Sequence, residues 1–245
     1  MNLPRLPVLD PSRMQSFPPA SAAMEYPNGL LAAGGDLSIK RLLLAYRHGI
    51  FPWYSDGEPI LWWSPDPRMV FRTDRVHVPR RLARALRGSN WTIRADTAFH
   101  EVMCECAQPR PGQPTTWISD DMLHAYGELH DAGHAHSIEV FDGVGMIGGI
   151  YGVAVGQMFF GESMFGRVSG ASKVALLALC HALELWGWPL LDAQVQSDHL
   201  ETLGAQSMPR AEFLREIADL VDQPGLIGLW RDCFPDIDVG GLAGR

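Results

Sequence analysis

The chain has 245 residues, of which 47% are hydrophobic, and its formal net charge is -8 at pH 7. A chain of this length and composition buries a substantial core, so we do not expect an intrinsically disordered protein. It has no run of about 20 apolar residues, and its N-terminus lacks a basic segment followed by an apolar run, so we expect neither a membrane-spanning nor a secreted protein. The acidic balance argues against non-specific coating of nucleic acid, which needs clustered Lys and Arg, but not against local contact.

The chain contains four cysteines, Cys104, Cys106, Cys180 and Cys233. The first two fall in a predicted helix, where the side chains of close neighbours diverge, so we expect no disulfide framework and a cytoplasmic protein. The histidines near Gly133 do not suggest a metal site, because this glycine interrupts their alignment and no second pair of ligands follows. We therefore expect no metal.

The N-terminal part of the sequence predicts little regular structure. Its first 35 residues are rich in Pro, Gly and Ser, and Ser38 then predicts the N-cap of a helix from Ile39 to His48, which Gly49 ends. The aromatic and proline-rich stretch at 50–67 favours rigid connecting backbone. We place a domain boundary near Trp62, with a small N-terminal domain at 1–62 and a larger domain at 63–245.

A basic segment follows this boundary. Its arginines are Arg80, Arg81, Arg84 and Arg87, and three of them recur at the i, i+4, i+7 spacing of one helix face. Such a face suits contact with a nucleic-acid backbone. The alternative is a solvated amphipathic helix whose Leu82 and Leu86 pack inward.

The remaining elements predict an α+β fold. We expect a strand at 91–95, helices at 97–106 and 120–132, strands at 136–141, 145–155 and 157–165, a helix at 173–186 capped by Ser172, a buried strand at 188–194 and a helix at 210–221. Asp142-Gly143 and Val155-Gly156 predict tight hairpins, so the central strands form an antiparallel meander. This order predicts a mixed, mainly antiparallel sheet with packed helices, and it resembles the GCN5-like (GNAT) acyltransferase fold.

Three polar side chains interrupt the predicted strands. Asp192 and Gln194 are two residues apart and share one face of a strand, where a carboxylate and an amide orient an attacking amine; the alternative is a hydrogen-bonded pair at a strand end. Glu162 follows an apolar run, where a carboxylate is costly unless it is paired or protonated. The alternative for Glu162 is an exposed carboxylate on the wet face of the strand.

The segment before the predicted helix at 173–186 is a candidate anion-binding site. Arg167 to Ser172 partly resembles the pyrophosphate loop of coenzyme A acyltransferases, but Ser172 departs from that pattern at its last position. An ordinary capped turn explains the segment equally well.

Eight motifs in order and spacing carry a more specific resemblance. They are GLLAAGGDL (29–37), YRHGIFPW (46–53), WWSPDPR (62–68), TWI (116–118), AHSIE (135–139), GGIYG (148–152), GESMF (161–165) and HLETLGA (199–205). Together they resemble the bacterial leucyl/phenylalanyl-tRNA-protein transferase family from about residue 26 to 215.

The resemblance implies a small N-terminal domain followed by a GNAT-like domain. It implies transfer of Leu or Phe, and less efficiently Met, from aminoacyl-tRNA to proteins with N-terminal Lys or Arg, which are thereby marked for degradation by the N-end rule pathway. It also implies a cytoplasmic enzyme. We expect a monomer that needs no cofactor.

The family's functional positions transfer to this chain residue by residue. Asp192 and Gln194 match the catalytic pair, and we expect Asp192 to hold or polarise Gln194, with Glu162 binding the cationic acceptor or helping to move a proton. The expected pocket for the donor side chain is formed by Trp53, Trp117, Ile150, Phe159, Gly161, Met164, Leu179, Leu183 and Leu191. The basic helix, with Arg80, Arg81, Arg84 and Arg87, is the expected tRNA contact.

The chain departs from the family at a few positions. Ala193 stands where relatives often have Cys, Gly166 where they often have Ser, and Leu179 and Leu183 where some have aromatic residues, so the preference between Leu and Phe is not predicted. Two rival functions remain at this point. One is an acetyl-coenzyme A N-acetyltransferase on the same fold, and the other is a non-catalytic adaptor that delivers basic N-termini to a protease.

Overall fold

The computed structural model describes residues 6–109 and 116–244, and within these ranges it contains seven α-helices and eleven β-strands. The helices are α1 (Ile39–Arg47), α2 (Arg80–Leu86), α3 (Phe99–Cys106), α4 (Asp120–Asp131), α5 (Ala171–Leu185), α6 (Asp198–Glu201) and α7 (Arg210–Leu220). The strands are β1 (Val8–Leu9), β2 (Leu30–Gly34), β3 (Phe51–Pro52), β4 (Leu61–Trp63), β5 (Arg68–Arg72), β6 (Thr92–Ala95), β7 (Ala135–Phe141), β8 (Met146–Val155), β9 (Met158–Gly166), β10 (Leu190–Gln194) and β11 (Gln206–Met208).

The N-terminal segment forms a small four-stranded sheet in the order β1-β2-β4-β3. The prediction of irregular backbone was wrong for β2, which pairs antiparallel with β4 through Leu30 opposite Trp63 and Ala32 opposite Trp62. It was also wrong for β3 and β4, which lie in the aromatic stretch. Trp62 is fully buried, and its indole N–H donates to the Gly34 carbonyl at 2.8 Å. These strands depend on partners distant in sequence, which local composition does not reveal.

The larger sheet has the order β11-β5-β10-β9-β8-β7-β6. The predicted meander of β7, β8 and β9 is confirmed, with Ile150 opposite both Ile138 and Met164. Every neighbouring pair is antiparallel except β9 and β10. The mixed, mainly antiparallel sheet is therefore confirmed.

Helices cover both faces of the larger sheet. Along β8, Tyr151 and Val153 belong to the hydrophobic cluster that includes α1, α3 and α4, whereas Ile150 and Ala154 belong to the cluster of α5. This division follows from the alternation of side chains in a strand. At Gly148 a Cβ atom would lie 2.6 Å from the Ala171 Cβ, so only glycine allows α5 to approach the sheet this closely.

The start of α5 differs from the prediction. The predicted cap Ser172 lies inside the first turn, the helix begins at Ala171, and the N-cap residue is Gly170 with a φ of 92°. A left-handed backbone favours glycine.

The two sheets share a hydrophobic core. One cluster joins Tyr46 and Trp62 of the N-terminal segment to Phe160, Leu190 and Phe213 of the larger sheet and α7. The domain boundary near Trp62 therefore stays a prediction. None of the helices in residues 6–109 and 116–244 has the length and hydropathy needed to cross a membrane.

A buried carboxylate lies in β7, away from the strands that carry Glu162 and Gln194. Glu139 is 0% exposed, and it accepts hydrogen bonds from the hydroxyl groups of Ser137 at 2.5 Å and Thr97 at 2.8 Å. Burial raises the pKa of the Glu139 carboxyl to about 7. The folded protein therefore keeps a proton here at pH values where the unfolded chain has lost it.

We expect Glu139→Gln to flatten the dependence of stability on pH. In the wild-type protein the free energy of unfolding falls as pH rises between the unfolded pKa of about 4.5 and the folded pKa of about 7, by at most about 1.4 kcal/mol per pH unit for this group. Urea unfolding at several pH values measures the slope. Glu128→Gln, an exposed change on α4, is the matched control, and an unchanged slope in Glu139→Gln would contradict the assignment.

Candidate active site

The candidate site lies where β9 and β10 separate. The two strands pair in parallel at only two positions, Leu191 with Phe159 and Asp192 with Phe160. Beyond Asp192 a bulge interrupts β10, while β9 continues alongside β8. A bulge bends its strand and redirects its side chains, so Glu162 on β9 and Gln194 on β10 flank the opening between the strands.

Asp192 forms a buried ion pair with Arg68 of β5. Both side chains are fully buried, and the Arg68 Nε and Nη2 atoms donate to the two carboxylate oxygens at 2.8 and 2.7 Å. The guanidinium also donates to the Gly49 carbonyl at 2.9 Å and lies over the rings of Phe51 and Phe213. The charge of Asp192 is thus compensated within the protein, as a buried carboxylate requires.

Gln194 adopts an unusual backbone conformation that separates its side chain from that of Asp192. Its φ is 62°, and its backbone N–H donates to Asp192 Oδ1 at 2.8 Å. Its side-chain Nε2 donates instead to Glu162 Oε1 at 2.7 Å. The simple strand alternation expected for Asp192 and Gln194 is therefore replaced by a bulge in which Asp192 holds the backbone of Gln194.

Glu162 is the centre of the polar cluster. The Tyr46 hydroxyl donates to its Oε1 at 2.8 Å, and the Tyr126 hydroxyl donates to its Oε2 at 3.1 Å. The two tyrosine hydroxyl groups are also in contact with each other. Burial raises the pKa of the Glu162 carboxyl to about 7, although the three hydrogen bonds oppose that rise. Such a group exchanges a proton near neutral pH.

An apolar pocket of about 380 Å³, including the solvent at its mouth, adjoins Glu162. It is lined by Phe71, Ile150, Gly161, Glu162, Ser163, Met164, Leu176, Leu191, Ala193 and Leu200. Four of these residues, Ile150, Gly161, Met164 and Leu191, belong to the set expected from the sequence. The pocket is thus an apolar cavity with one ionisable group at its edge, which is typical of a small-ligand site.

The other expected pocket residues lie elsewhere. Phe159, Leu179 and Leu183 do not line the pocket, and they are fully buried in the hydrophobic cluster that also contains Ile150 and Leu191. Trp53 is 44% exposed and packs against Trp63, with ring centroids 5.6 Å apart, and Trp117 packs against the other core cluster. Neither tryptophan is part of the pocket lining, so their role in donor binding stays a prediction.

Several residues of the site were not predicted from the sequence. Arg68 was predictable from the sequence, because it directly precedes the apolar residues 69–71, and a charged side chain that is buried with such neighbours needs a partner. Tyr46 follows Leu42 at helical spacing on the inward face of α1, but nothing local pairs it with Glu162. Leu176 lies one turn before Leu179 on α5, and it lines the pocket where Leu179 does not.

The basic helix is α2. Leu82 and Leu86 are buried and all four arginines are exposed. In the part of the chain that the structure describes, none of the guanidinium groups of Arg80, Arg81, Arg84 and Arg87 forms an ion pair. A Cβ at Gly170 would lie 3.0 Å from Leu82 Cδ1, so α2 packs against the start of α5.

Arg167, in the segment that partly resembles a pyrophosphate loop, forms an ion pair within the protein. The Arg167 guanidinium binds Glu105 through Nε at 2.9 Å and Nη2 at 2.5 Å. Its positive charge is therefore offset by a neighbouring carboxylate, which weakens the case for a coenzyme A pyrophosphate site. Among the described residues, no group of three or more His, Cys, Asp or Glu side chains suits a metal ion.

Comparison with protein families gives two matches that follow one another along the chain. Residues 70–218 match the model of leucyl/phenylalanyl-tRNA protein transferase, and residues 35–66 match the N-terminal domain of the same family. The solved structure titled "The structure of L-PGS from Bacillus licheniformis" aligns with a TM-score of 0.38 and 10% identity over 66% of this chain and 55% of that chain. That similarity is too low to support a statement about the fold.

Curated relatives named leucyl/phenylalanyl-tRNA--protein transferase cover almost the whole chain. One from Xanthomonas campestris pv. campestris (strain B100) is 57% identical over 99% of this chain and 97% of its own length. One from Xanthomonas oryzae pv. oryzae (strain MAFF 311018) is 63% identical over 89% of each chain. One from Xylella fastidiosa (strain M23) is 54% identical over 93% of this chain and 94% of its own length. The chain therefore belongs to the leucyl/phenylalanyl-tRNA-protein transferase family and is an aminoacyltransferase.

Proposed function

We propose that this enzyme transfers Leu or Phe, and less efficiently Met, from aminoacyl-tRNA to the α-amino group of proteins with N-terminal Lys or Arg. The added residue marks the acceptor for degradation by the N-end rule pathway. The observation that carries the proposal is the apolar pocket beside the Glu162–Gln194 pair, because transfer needs a cavity for the donor side chain next to groups that handle an amine. The proposal includes a cytoplasmic monomer that needs no cofactor, and a GNAT-like architecture for residues 63–245.

The donor side chain occupies the apolar pocket. Ile150, Met164, Leu176 and Leu191 supply its apolar surface, and burying a Leu or Phe side chain there contributes about 1.5 to 3 kcal/mol. Because Gly161 and Glu162 line the same cavity, a side chain bound there holds its ester carbonyl near the polar cluster. Positioning of this kind accounts for much of the rate of a reaction between two bound substrates.

The acceptor amine reacts between Glu162 and Gln194. An N-terminal amine has a pKa of about 7.7 to 8 in water and is mostly protonated at neutral pH. Glu162, with a pKa of about 7, takes a proton from the ammonium, and the amide oxygen of Gln194 accepts a hydrogen bond from the resulting amine. The amine then attacks the ester carbonyl, and the tetrahedral centre collapses as the ribose oxygen leaves with a proton from the nitrogen.

Asp192 has a positioning role in this proposal. Its charge is offset by Arg68, and it holds the backbone N–H of Gln194 at 2.8 Å. It thereby fixes the left-handed conformation that directs the Gln194 amide towards Glu162. This refines the expectation that Asp192 polarises Gln194, because the contact is made through the backbone and not through the side-chain amide.

The three arginines of α2 and Arg87 at its C-cap bind the tRNA backbone. They are exposed, and cationic groups without an internal acidic partner retain their full attraction for phosphate.

We expect the double variant Arg80→Glu/Arg84→Glu to raise the KM for leucyl-tRNA about tenfold at low salt. The difference from wild type shrinks as salt rises, because the variant releases fewer counterions on binding. The control is Arg215→Glu, an exposed arginine of α7. A KM equal to that of the wild type at every salt concentration would show that α2 is a solvated amphipathic helix that does not bind tRNA.

A transfer assay separates the proposal from the acetyltransferase alternative. Leu-, Phe-, Met- and Ala-charged tRNA and acetyl-coenzyme A are offered as donors to peptides that begin with Arg, Lys or Ala, and the products are measured by mass spectrometry. We expect addition of Leu and Phe, weaker addition of Met, and products only on peptides that begin with Arg or Lys. Acetylated peptide, or transfer to the Ala peptide at an equal rate, would overturn the proposal.

A further inference from the structure

Two fully buried tyrosines from separate helices hold the carboxylate of Glu162. Tyr46 belongs to α1 of the N-terminal segment and Tyr126 to α4, and both are 0% exposed. Tyr46 donates to Oε1 at 2.8 Å and Tyr126 to Oε2 at 3.1 Å. When Glu162 is ionised, each of its oxygens accepts the single proton of one phenol, and the contact between the two hydroxyl groups then carries no hydrogen bond of its own. The two donors fix both the position and the rotation of the carboxylate.

The hydrogen bonds leave one acceptor position of Glu162 unfilled. A carboxylate has about four lone-pair positions. Within the described residues, Oε1 accepts hydrogen bonds from Tyr46 and Gln194, whereas Oε2 accepts one hydrogen bond, from Tyr126. The remaining position is thus on Oε2, in the group that lines the apolar pocket.

We propose that Tyr46 and Tyr126 are positioning residues that hold Glu162 so that the remaining lone pair on Oε2 takes a proton from the α-ammonium of the acceptor. This inference rests on the proposed function. In the step, an N–H bond of the ammonium breaks and an O–H bond forms on Oε2, which leaves a neutral amine and a neutral carboxylic acid. The acid later releases the proton to solvent. The products of the transfer are the extended peptide and the free ribose hydroxyl of the tRNA.

The groups around Glu162 fit this role. It is faced by Tyr46 of α1, Tyr126 of α4, Tyr151 of β8 and Asp192 of β10, and Arg68 of β5 offsets the charge of Asp192. Burial holds the pKa of both tyrosine donors well above its usual value, so they keep their protons at neutral pH. Their hydrogen bonds lower the pKa of Glu162 against the effect of burial. Loss of either phenol therefore raises that pKa.

The test uses Tyr46→Phe and Tyr126→Phe, with Tyr151→Phe as the matched control. Tyr151 is equally buried and packs against the Tyr126 ring at 6.0 Å, but its hydroxyl has no hydrogen-bond partner among the residues that the structure describes. Transfer of leucine to an Arg peptide is measured in single turnovers from about pH 5.5 to 9. Thermal unfolding of each variant shows whether the fold is retained.

We expect the acidic limb of the pH profile to move up by about one unit in each of the two site variants. The rate then falls about tenfold near pH 6, stays within about threefold of wild type near pH 9, and is unchanged in Tyr151→Phe. An acidic limb that stays in place in folded Tyr46→Phe and Tyr126→Phe, or moves equally in the control, overturns the inference.

Infrared titration of protein labelled with ¹³C-glutamate gives a readout that needs no substrate. The Glu162 signal is isolated by subtracting the spectrum of Glu162→Gln, which removes the contribution of Glu139. We expect titration at about pH 7 in the wild type and at higher pH in Tyr126→Phe. If that shift occurs but the wild-type enzyme does not modify basic peptides, the proposed function fails, although the tyrosines still hold Glu162 and set its pKa. If the signal does not shift, the inference fails whatever the activity of the enzyme.

Discussion

Replacement of Gln194 by Ala is expected to lower the rate of leucine transfer at least a hundredfold. The change removes the amide that donates to Glu162 at 2.7 Å and that accepts from the attacking amine in our proposal. Loss of an oriented group that acts mainly in the transition state lowers kcat and kcat/KM together. Single-turnover transfer at saturating leucyl-tRNA measures the effect.

Gln194→Asn is the informative companion variant. Asn tolerates the left-handed backbone of this position, which has a φ of 62°, better than Ala does. Its amide is one methylene shorter and does not reach Glu162, so we expect near wild-type stability with a similarly large loss of transfer. If the Gln194→Ala enzyme is folded and transfers at the wild-type rate, Gln194 has no part in the mechanism.

Asp192→Asn is expected to be the most destabilising single change at the site. It leaves the Arg68 guanidinium, which is 0% exposed, without its carboxylate. Breaking a buried ion pair from one side costs about 3 to 5 kcal/mol, which corresponds to a fall of about 10 °C in the unfolding midpoint of a chain of this size. Calorimetry or urea unfolding measures the loss.

Two comparisons make that prediction specific. Asp222→Asn removes the partner of Arg47 at the surface, where Asp222 is 72% exposed, and such pairs contribute less than about 1 kcal/mol. The double variant Arg68→Met/Asp192→Leu removes both charges, and we expect it to be more stable than Asp192→Asn. A loss below about 1 kcal/mol in Asp192→Asn would show that the buried guanidinium has another source of compensation.

The sequence predicted the elements whose patterns are local. The meander follows from alternation and hairpin turns, and α1, α4 and α7 follow from helical spacing and their end residues. β5 was missed because prolines precede it and no hairpin links it to a neighbour; its partners, β10 and β11, are more than a hundred residues away. Pairing over such a distance is decided by the tertiary fold, which short-range patterns do not contain.

The candidate site shows the same limit at the level of side chains. Glu162 and Gln194 were nominated from sequence, but the bulge that gives them a common opening appears only when β10 is paired with β5. Leu176 and Leu179 are both buried apolar residues of α5, and only the tertiary packing shows that Leu176 lines the cavity whereas Leu179 does not.

The most direct test of the site is to locate the donor side chain. Leucyl-tRNA is charged with photo-leucine, whose diazirine crosslinks to whatever touches it, and the labelled peptides are identified by mass spectrometry after brief irradiation. Competition with ordinary leucyl-tRNA removes unspecific label. We expect crosslinks to Ile150, Met164, Leu176 or Leu191 beside Glu162. Specific label confined to a surface away from the opening between β9 and β10 would contradict the placement of aminoacyl transfer at this site.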